Sequence, residues 1–240
     1  MSERLLARCV MVASVICGVG GIALIVVFPA GLPLFRFHWP LAAALCWDAA
    51  LSMMFFVQHS GMVRRPFRAR MAAVIPLCYH GAVYAIASGI ALAIVVLLWQ
   101  PSDYRLLILE GLPRRAAQAC SILAMAFFVW GVRALRGFDP LGLNAIKAHL
   151  RGKNPPLSPF VVRGPYRWVR HPLYLGVLLL IWSNPDVTAD RLLFAVLWTA
   201  WIFVGARLEE ADLVREFGDA YEGYRRKVPI LIPWRGPMKL

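Results

Sequence analysis

The chain has 240 residues, 60% of them apolar and only 16% charged, against about 25% charged in an ordinary soluble domain. That balance excludes a soluble globular protein, a disordered chain and a fibrous repeat. The net charge of +13, from 26 Lys and Arg against 13 Asp and Glu, would suggest nucleic acid in a soluble domain. Here it fits basic loops retained on the cytoplasmic side of a membrane, and no nucleic-acid partner is expected.

Six apolar segments follow in chain order, over 7–29, 40–58, 72–98, 116–134, 173–184 and 191–208. Most have the length of about 20 residues needed to cross a bilayer core. The alternating ~10-residue pattern of a membrane barrel is absent. The expected fold is therefore all-α, a polytopic membrane bundle of five or six transmembrane helices. The first segment follows Arg4 and Arg8 but is long and lacks a small-residue cleavage site, so it is expected to be a retained helix. Within it, Gly18-Val19-Gly20-Gly21-Ile22-Ala23 fits a dinucleotide fingerprint formally. With no preceding strand, it is better read as a small-residue surface for helix packing. The fifth segment is short, and Asn184-Pro185-Asp186 joins it to the sixth as a helical hairpin.

Placing the N-terminus inside puts 21 basic residues on the cytoplasmic side and 5 outside. Both termini and the long 133–171 segment are then expected in the cytoplasm. The five cysteines (Cys9, Cys17, Cys46, Cys78 and Cys120) form no CxxC or Cys/His metal spacing, and no metal is expected.

Three polar clusters stand out. The first runs from Arg163 through Gly164, Pro165, Tyr166, Arg170, His171, Pro172 and Tyr174 to Gly176. A residue before proline is disfavoured in helix and proline suits a first helical position, so a helix should begin at Pro172. Its unpaired N–H groups would make a site for a carboxylate or phosphate. The second cluster is Arg207-Leu208-Glu209-Glu210, where carboxylates beside a bilayer are costly unless paired or functional. The third is Phe217-Gly218-Asp219-Ala220-Tyr221-Glu222-Gly223-Tyr224-Arg225, with Tyr221, Tyr224 and Arg225 at helical spacing on one face. The hairpin returns the first two clusters to one membrane face. Such a set suits a zwitterionic cofactor. The bland alternatives are a basic interfacial belt and an amphipathic helix holding membrane lipid headgroups.

The order G-P-Y-x-x-x-R-H-P-x-Y-x-G, then E-E, then F-G-x-x-Y-x-x-Y-x-x-x-V-P over about 164–229 resembles the isoprenylcysteine carboxyl methyltransferase superfamily. The resemblance implies a membrane-embedded enzyme using S-adenosylmethionine, with a cytoplasmic cofactor pocket. By motif position it implies Tyr166, Arg170, His171, Tyr174, Glu209 and Glu210 as cofactor-pocket residues, with Tyr224 and Arg225 beside them. Further upstream, Gln58-His59-Ser60-Gly61-Met62-Val63-Arg64-Arg65-Pro66, Trp99-Gln100-Pro101, Phe138-Asp139-Pro140-Leu141-Gly142-Leu143 and His149-Leu150-Arg151-Gly152-Lys153 are similar to the pattern of bacterial methanethiol S-methyltransferases. Leu77–Tyr84 departs from that pattern, and would bear on acceptor specificity if it faces the substrate.

The chain is thus expected to be a single integral-membrane methyltransferase domain over 1–240, with helices in 1–132 and the cofactor-binding part in 133–240. The expected acceptor is a small or lipophilic thiol. The expected catalytic residues are His59, Arg170 and Glu210, and Ser60, Asp139 and Asn144 join His59 as substrate-side candidates. Competing expectations are a carboxyl methyltransferase acting on isoprenylated cysteine, a membrane NADPH-dependent reductase (sterol reductases share R-H-P-x-Y-x-G), and a transporter.

Overall fold

A computed structural model describes residues 2–28, 35–135, 139–154 and 160–239. Their chain folds into helices α1 (Glu3–Val27), α2 (Leu41–Met62), α3 (Arg65–Ala72), α4 (His80–Leu98), α5 (Gly111–Ala134), α6 (Leu143–Leu150), α7 (Pro172–Trp182), α8 (Ala189–Phe217) and α9 (Asp219–Lys227). Two short strands, β1 (Arg105–Ile108) and β2 (Asp186–Thr188), pair antiparallel. The helices α1, α2, α4, α5 and α8 are long and apolar enough to cross a membrane. The chain is an integral membrane protein of the all-α polytopic class. At 1.5 Å per residue, the 11-residue α7 spans only about 16 Å, roughly half a bilayer core. The Phe138 end of the Phe138–Leu143 motif lies outside the described residues.

The contacts divide the chain into two compact units, one of residues 1–102 with 139–157 and one of 103–138 with 158–240. The units interleave in sequence: α5 joins the C-terminal part, and α6 joins the N-terminal helices.

In the first unit, α4 packs along both α1 and α2. The crossing of α1 and α4 depends on small residues. A Cβ on Gly89 would lie 2.1 Å from the Cys17 carbonyl oxygen, and one on Gly21 would lie 2.9 Å from Gly89 Cα. The glycine run of the first segment is thus a packing surface, as its sequence context implied. At Gly142, φ is +67°, and a Cβ would fall 2.2 Å from the Ala82 nitrogen, so only glycine fits. Just before it, Asp139 accepts hydrogen bonds from the backbone N–H of Leu143 (2.9 Å) and Asn144 (2.6 Å) at the start of α6. That satisfies orphan donors of a helix N-terminus and complements its dipole. Gln100 fastens the far end: its N–H donates to Asp48 Oδ1 (2.8 Å), and its amide bonds Phe37 N (2.7 Å) and Phe35 O (3.0 Å).

In the second unit, α7 packs chiefly along α5 in a regular antiparallel register. Gly131 faces Leu173, Gly176 faces Phe128, and Ser121 Oγ lies 2.7 Å from Ser183 Oγ. At the end of this seam, β1 pairs with β2, and Arg114 grips both carboxylate oxygens of Asp186 at 2.7 and 2.8 Å. The guanidinium holds the Asp186 carboxyl below the usual carboxylate range. The turn between α7 and α8 is therefore a strand edge pinned to the start of α5. The hairpin expected from Asn184-Pro185-Asp186 is present as two sequential helices, but α7 leans on α5 more than on α8.

Substituting Gly89 by alanine should destabilise the α1–α4 crossing by about 1–3 kcal/mol or more, since backbone must give way. Gly20→Ala, whose Cβ meets nothing within 4 Å, should be neutral or slightly stabilising. Thermal unfolding in detergent micelles reads the difference, and equal melting temperatures would contradict this packing.

Candidate functional site

In the second unit, three segments meet around one buried ion pair. Pro165 and Pro172 bracket the first: the 3-10 turn Gly164–Arg167 ends before Pro172 opens α7 with His171 at its N-cap. This is the helix start that the His-Pro pair predicted. The second segment is the end of α8, which continues as helix through Glu209 and Glu210 to Phe217. The third is α9 and the extended residues that follow it.

Arg170 ties the three together. Its Nε donates to Glu210 Oε1, and its Nη1 donates to the carbonyls of Arg225 (2.8 Å) and Val228 (2.5 Å). The side chains of Arg170 and Glu210 are only 10% and 7% exposed. Backbone bonds from Arg170 N to Pro229 O (2.9 Å) and from His171 N to Ile230 O (3.1 Å) complete the seam. A buried charge pair needs further hydrogen bonds to offset its desolvation, and the bonds of Arg170 Nη1 contribute to that.

His171 is buried, with both ring nitrogens facing carboxylates: Nε2 lies 3.3 Å from Glu210 Oε1 and Nδ1 3.6 Å from Glu209 Oε2. Its ring stacks on Tyr174 at a centroid distance of 5.3 Å and 10°. The Tyr174 hydroxyl donates to Glu209 Oε2 at 2.7 Å. Glu209 differs from its neighbour in keeping 44% of its side chain exposed. The result is a partly open carboxylate beside a tyrosine hydroxyl and the N-terminal end of a helix.

Behind this lies an aromatic wall. Tyr221 and Tyr224 are buried against each other and against Phe160. The Tyr224 hydroxyl donates to the Tyr166 carbonyl at 2.6 Å. Burial pushes the phenols of Tyr166, Tyr221 and Tyr224 above the usual tyrosine range, so all three stay neutral. The spacing that grouped Tyr221, Tyr224 and Arg225 holds for the tyrosines only. The Arg225 side chain is exposed, and its carbonyl makes the contact. The backbone carbonyls of Arg225, Val228, Pro229 and Ile230 carry no residue-type signal, and the sequence did not reveal their part. Arg167 adds a second tie, with Nε donating to Met238 O and its own carbonyl accepting from Met238 N, both at 2.8 Å.

In the first unit, His59 lies near the end of α2 with Nδ1 3.1 Å from Ser88 Oγ on α4. Tyr84, also on α4, places its hydroxyl 3.0 Å from Nε2 and 3.1 Å from Nδ1. Phe55 stacks on the imidazole at 5.0 Å. Asp139 is occupied in capping α6, and Asn144 is exposed on that helix. Neither lies in a polar cluster with His59.

Comparison with known proteins places these residues in a family context. A family model described as NnrU protein matches residues 49–207. The chain is 35% identical to a methanethiol S-methyltransferase of a Pseudomonas species, covering 84% of this chain and 77% of the relative. It is 32% identical to a methanethiol S-methyltransferase of Mycobacterium tuberculosis, over 81% and 80% of the two chains. Nurim of Rattus norvegicus is 27% identical over 72% and 69%. No solved structure matches the chain. The resemblance carried by the sequence motifs extends over most of the molecule, and the chain belongs to the NnrU protein family, sharing close similarity with methanethiol S-methyltransferases.

Proposed function

We propose that the protein is a membrane-embedded methyltransferase that uses S-adenosylmethionine to S-methylate a small thiol, converting methanethiol to dimethyl sulfide. The observation that carries this reading is the identity of 32–35% with methanethiol S-methyltransferases over about four fifths of the chain. The donor set around α7 fits the cofactor's chemistry: a half-exposed carboxylate, a tyrosine hydroxyl and a helix N-terminus suit a ligand bearing both cationic groups and a carboxylate.

When bound, the sulfonium cofactor supplies an already activated methyl group, so the protein's work is binding, alignment and exclusion of water. Glu209 and Tyr174 would hold the cationic part, with Tyr166 and the first turn of α7 beside them. Arg170, His171 and Glu210 act differently in this reading. Their bonds to one another and to the 225–230 backbone make them positioning residues that keep the wall in place. Tyr224 reinforces it, and Arg225 contributes its carbonyl. Methyl transfer to a thiolate asks little acid–base catalysis of this side, because the thiolate is itself the nucleophile.

The proposed orientation follows from the 21 to 5 partition of basic residues. Both termini and the cofactor segments lie in the cytoplasm, in a bacterial inner membrane, and the β1–β2 edge lies outside.

Supplying methanethiol and S-adenosylmethionine to the purified protein should release dimethyl sulfide into the headspace. Activity confined to a farnesylated cysteine analogue would instead favour carboxyl methylation of a prenylated acceptor. Glu209→Gln should leave the fold intact and weaken S-adenosylmethionine binding by about 1.5–3 kcal/mol, or roughly 10- to 150-fold by calorimetry. Arg170→Ala strands a buried carboxylate, and should lower stability by about 3–5 kcal/mol in an unfolding experiment. Equal effects of the two changes on stability would contradict the division between holding and positioning residues. Reporter fusions after Leu240 and within 100–110 should report opposite compartments, and a shared compartment would overturn the orientation.

A further inference from the structure

From Gly223 to Leu240 the chain carries five basic residues, Arg225, Arg226, Lys227, Arg235 and Lys239, and no acidic one. All five are exposed. Within this stretch residues 230–238 form a loop closed at both ends on the segment that leads into α7. At its start His171 N donates to Ile230 O at 3.1 Å. At its end Met238 N donates to Arg167 O and Arg167 Nε donates to Met238 O, both at 2.8 Å. Leu231 is only 1% exposed, yet Ile232 and Trp234 are 67% and 66% exposed. Large apolar side chains held open by a pinned loop call for a partner.

The loop's place in the fold names that partner. Between Pro172 and Trp182, α7 carries no charged residue, whereas Arg163, Arg167 and Arg170 precede it. The apolar boundary of the membrane therefore falls at its first turn. The His171–Ile230 bond holds the start of the loop at that boundary. At about 3.5 Å per residue or less, Ile232 and Trp234 stand within roughly 7 and 14 Å of Ile230. Non-helical backbone is costly beside hydrocarbon, because its polar groups lose water. Pro229, Pro233 and Pro237 have no N–H to strand, and Trp234 N donates to Ile232 O at 2.9 Å. The Arg235 guanidinium lies 4.1 Å from the centroid of the Trp234 ring, and its Nη1 donates to Arg226 O at 3.1 Å. These contacts bring the Arg235 charge to the end of α9, where Arg226 and Lys227 stand.

We propose that this loop seats on the membrane face beside the candidate site, with Ile232 and Trp234 entering the interface and Arg226, Lys227 and Arg235 meeting the phosphates of anionic phospholipids. Tryptophan favours the headgroup level, and basic side chains near it are drawn to anionic lipid. The inference goes beyond the methyl-transfer reading and holds whichever reaction the site performs. It also gives the site a lipid dependence. The carbonyls of Val228, Pro229 and Ile230, which accept from Arg170 and His171, lead directly into the loop. Seating the loop therefore steadies the wall of the site.

Fluorine NMR of protein labelled with fluorotryptophan and embedded in lipid nanodiscs tests this. The Trp234 signal, one of nine, is assigned by its loss in Trp234→Phe. In phosphatidylglycerol discs, lipid with a nitroxide near its headgroup should broaden that signal severalfold more than a water-soluble gadolinium chelate does. The preference should fall severalfold in phosphatidylcholine discs. It should fall likewise in phosphatidylglycerol discs when Arg226→Gln and Lys227→Gln are combined. A Trp234 signal broadened mainly by gadolinium in phosphatidylglycerol discs would overturn the loop's insertion. An equal preference in the two lipids, or one unmoved by the double change, would overturn its recognition of anionic headgroups.

Discussion

The buried pair of Arg170 and Glu210 is the contact on which the candidate site in the second unit depends. One guanidinium bonds a carboxylate on α8 and two backbone carbonyls at the end of α9. In doing so it joins segments that lie 40 to 58 positions apart in sequence. Coulomb attraction alone would not repay the desolvation of two ions. What makes the pair tenable is the further bonding around it, from Arg170 Nη1 to two carbonyls and from His171 to the same Glu210 oxygen. The geometry of Glu209 is a consequence. With Glu210 turned inward, its neighbour on the helix is turned about 100° away around the axis and stays open to solvent beside Tyr174.

The same economy governs the packing. Water is not available within a bilayer to drive helices together, so close approach of small residues must do so. The α1–α4 crossing uses Gly21 and Gly89, and the α5–α7 seam uses Gly131 and Gly176. That second seam holds α7 so that Pro172 and His171 stand beside the end of α8. Its opposite end is locked by Arg114, Asp186 and the short sheet. A helix too short to cross the membrane is thus held at both ends within its own unit.

Much of this was legible in the residues. Charge-free lengths located the spanning segments, the His-Pro pair located the start of α7, and Glu209-Glu210 with Tyr221 and Tyr224 are residues that the fold gathers in the second unit. What was not legible falls into two physical kinds. Backbone groups have no residue signature, so Arg225 looked like a charged ligand when its carbonyl is the partner. Long-range register also escapes a local pattern. Nothing near Arg105 announces its pairing with Thr188, and nothing near His59 announces Tyr84, because helix packing decides both. Asp139 shows the converse error. Its carboxylate has the right chemistry for a substrate contact, but three backbone N–H groups of α6 claim it first.

The contrast between the two histidines shows why environment, and not residue type, sets a role. His171 sits between two carboxylates and stacks on Tyr174, contacts that tie the start of α7 to the end of α8 and suit holding a structure together. His59 sits among neutral groups, with Phe55 on one face and hydroxyls at its edge. A neutral imidazole in apolar surroundings can take a proton only if a matching negative charge forms beside it. The surroundings of each ring, and not the imidazole itself, therefore set what it can do.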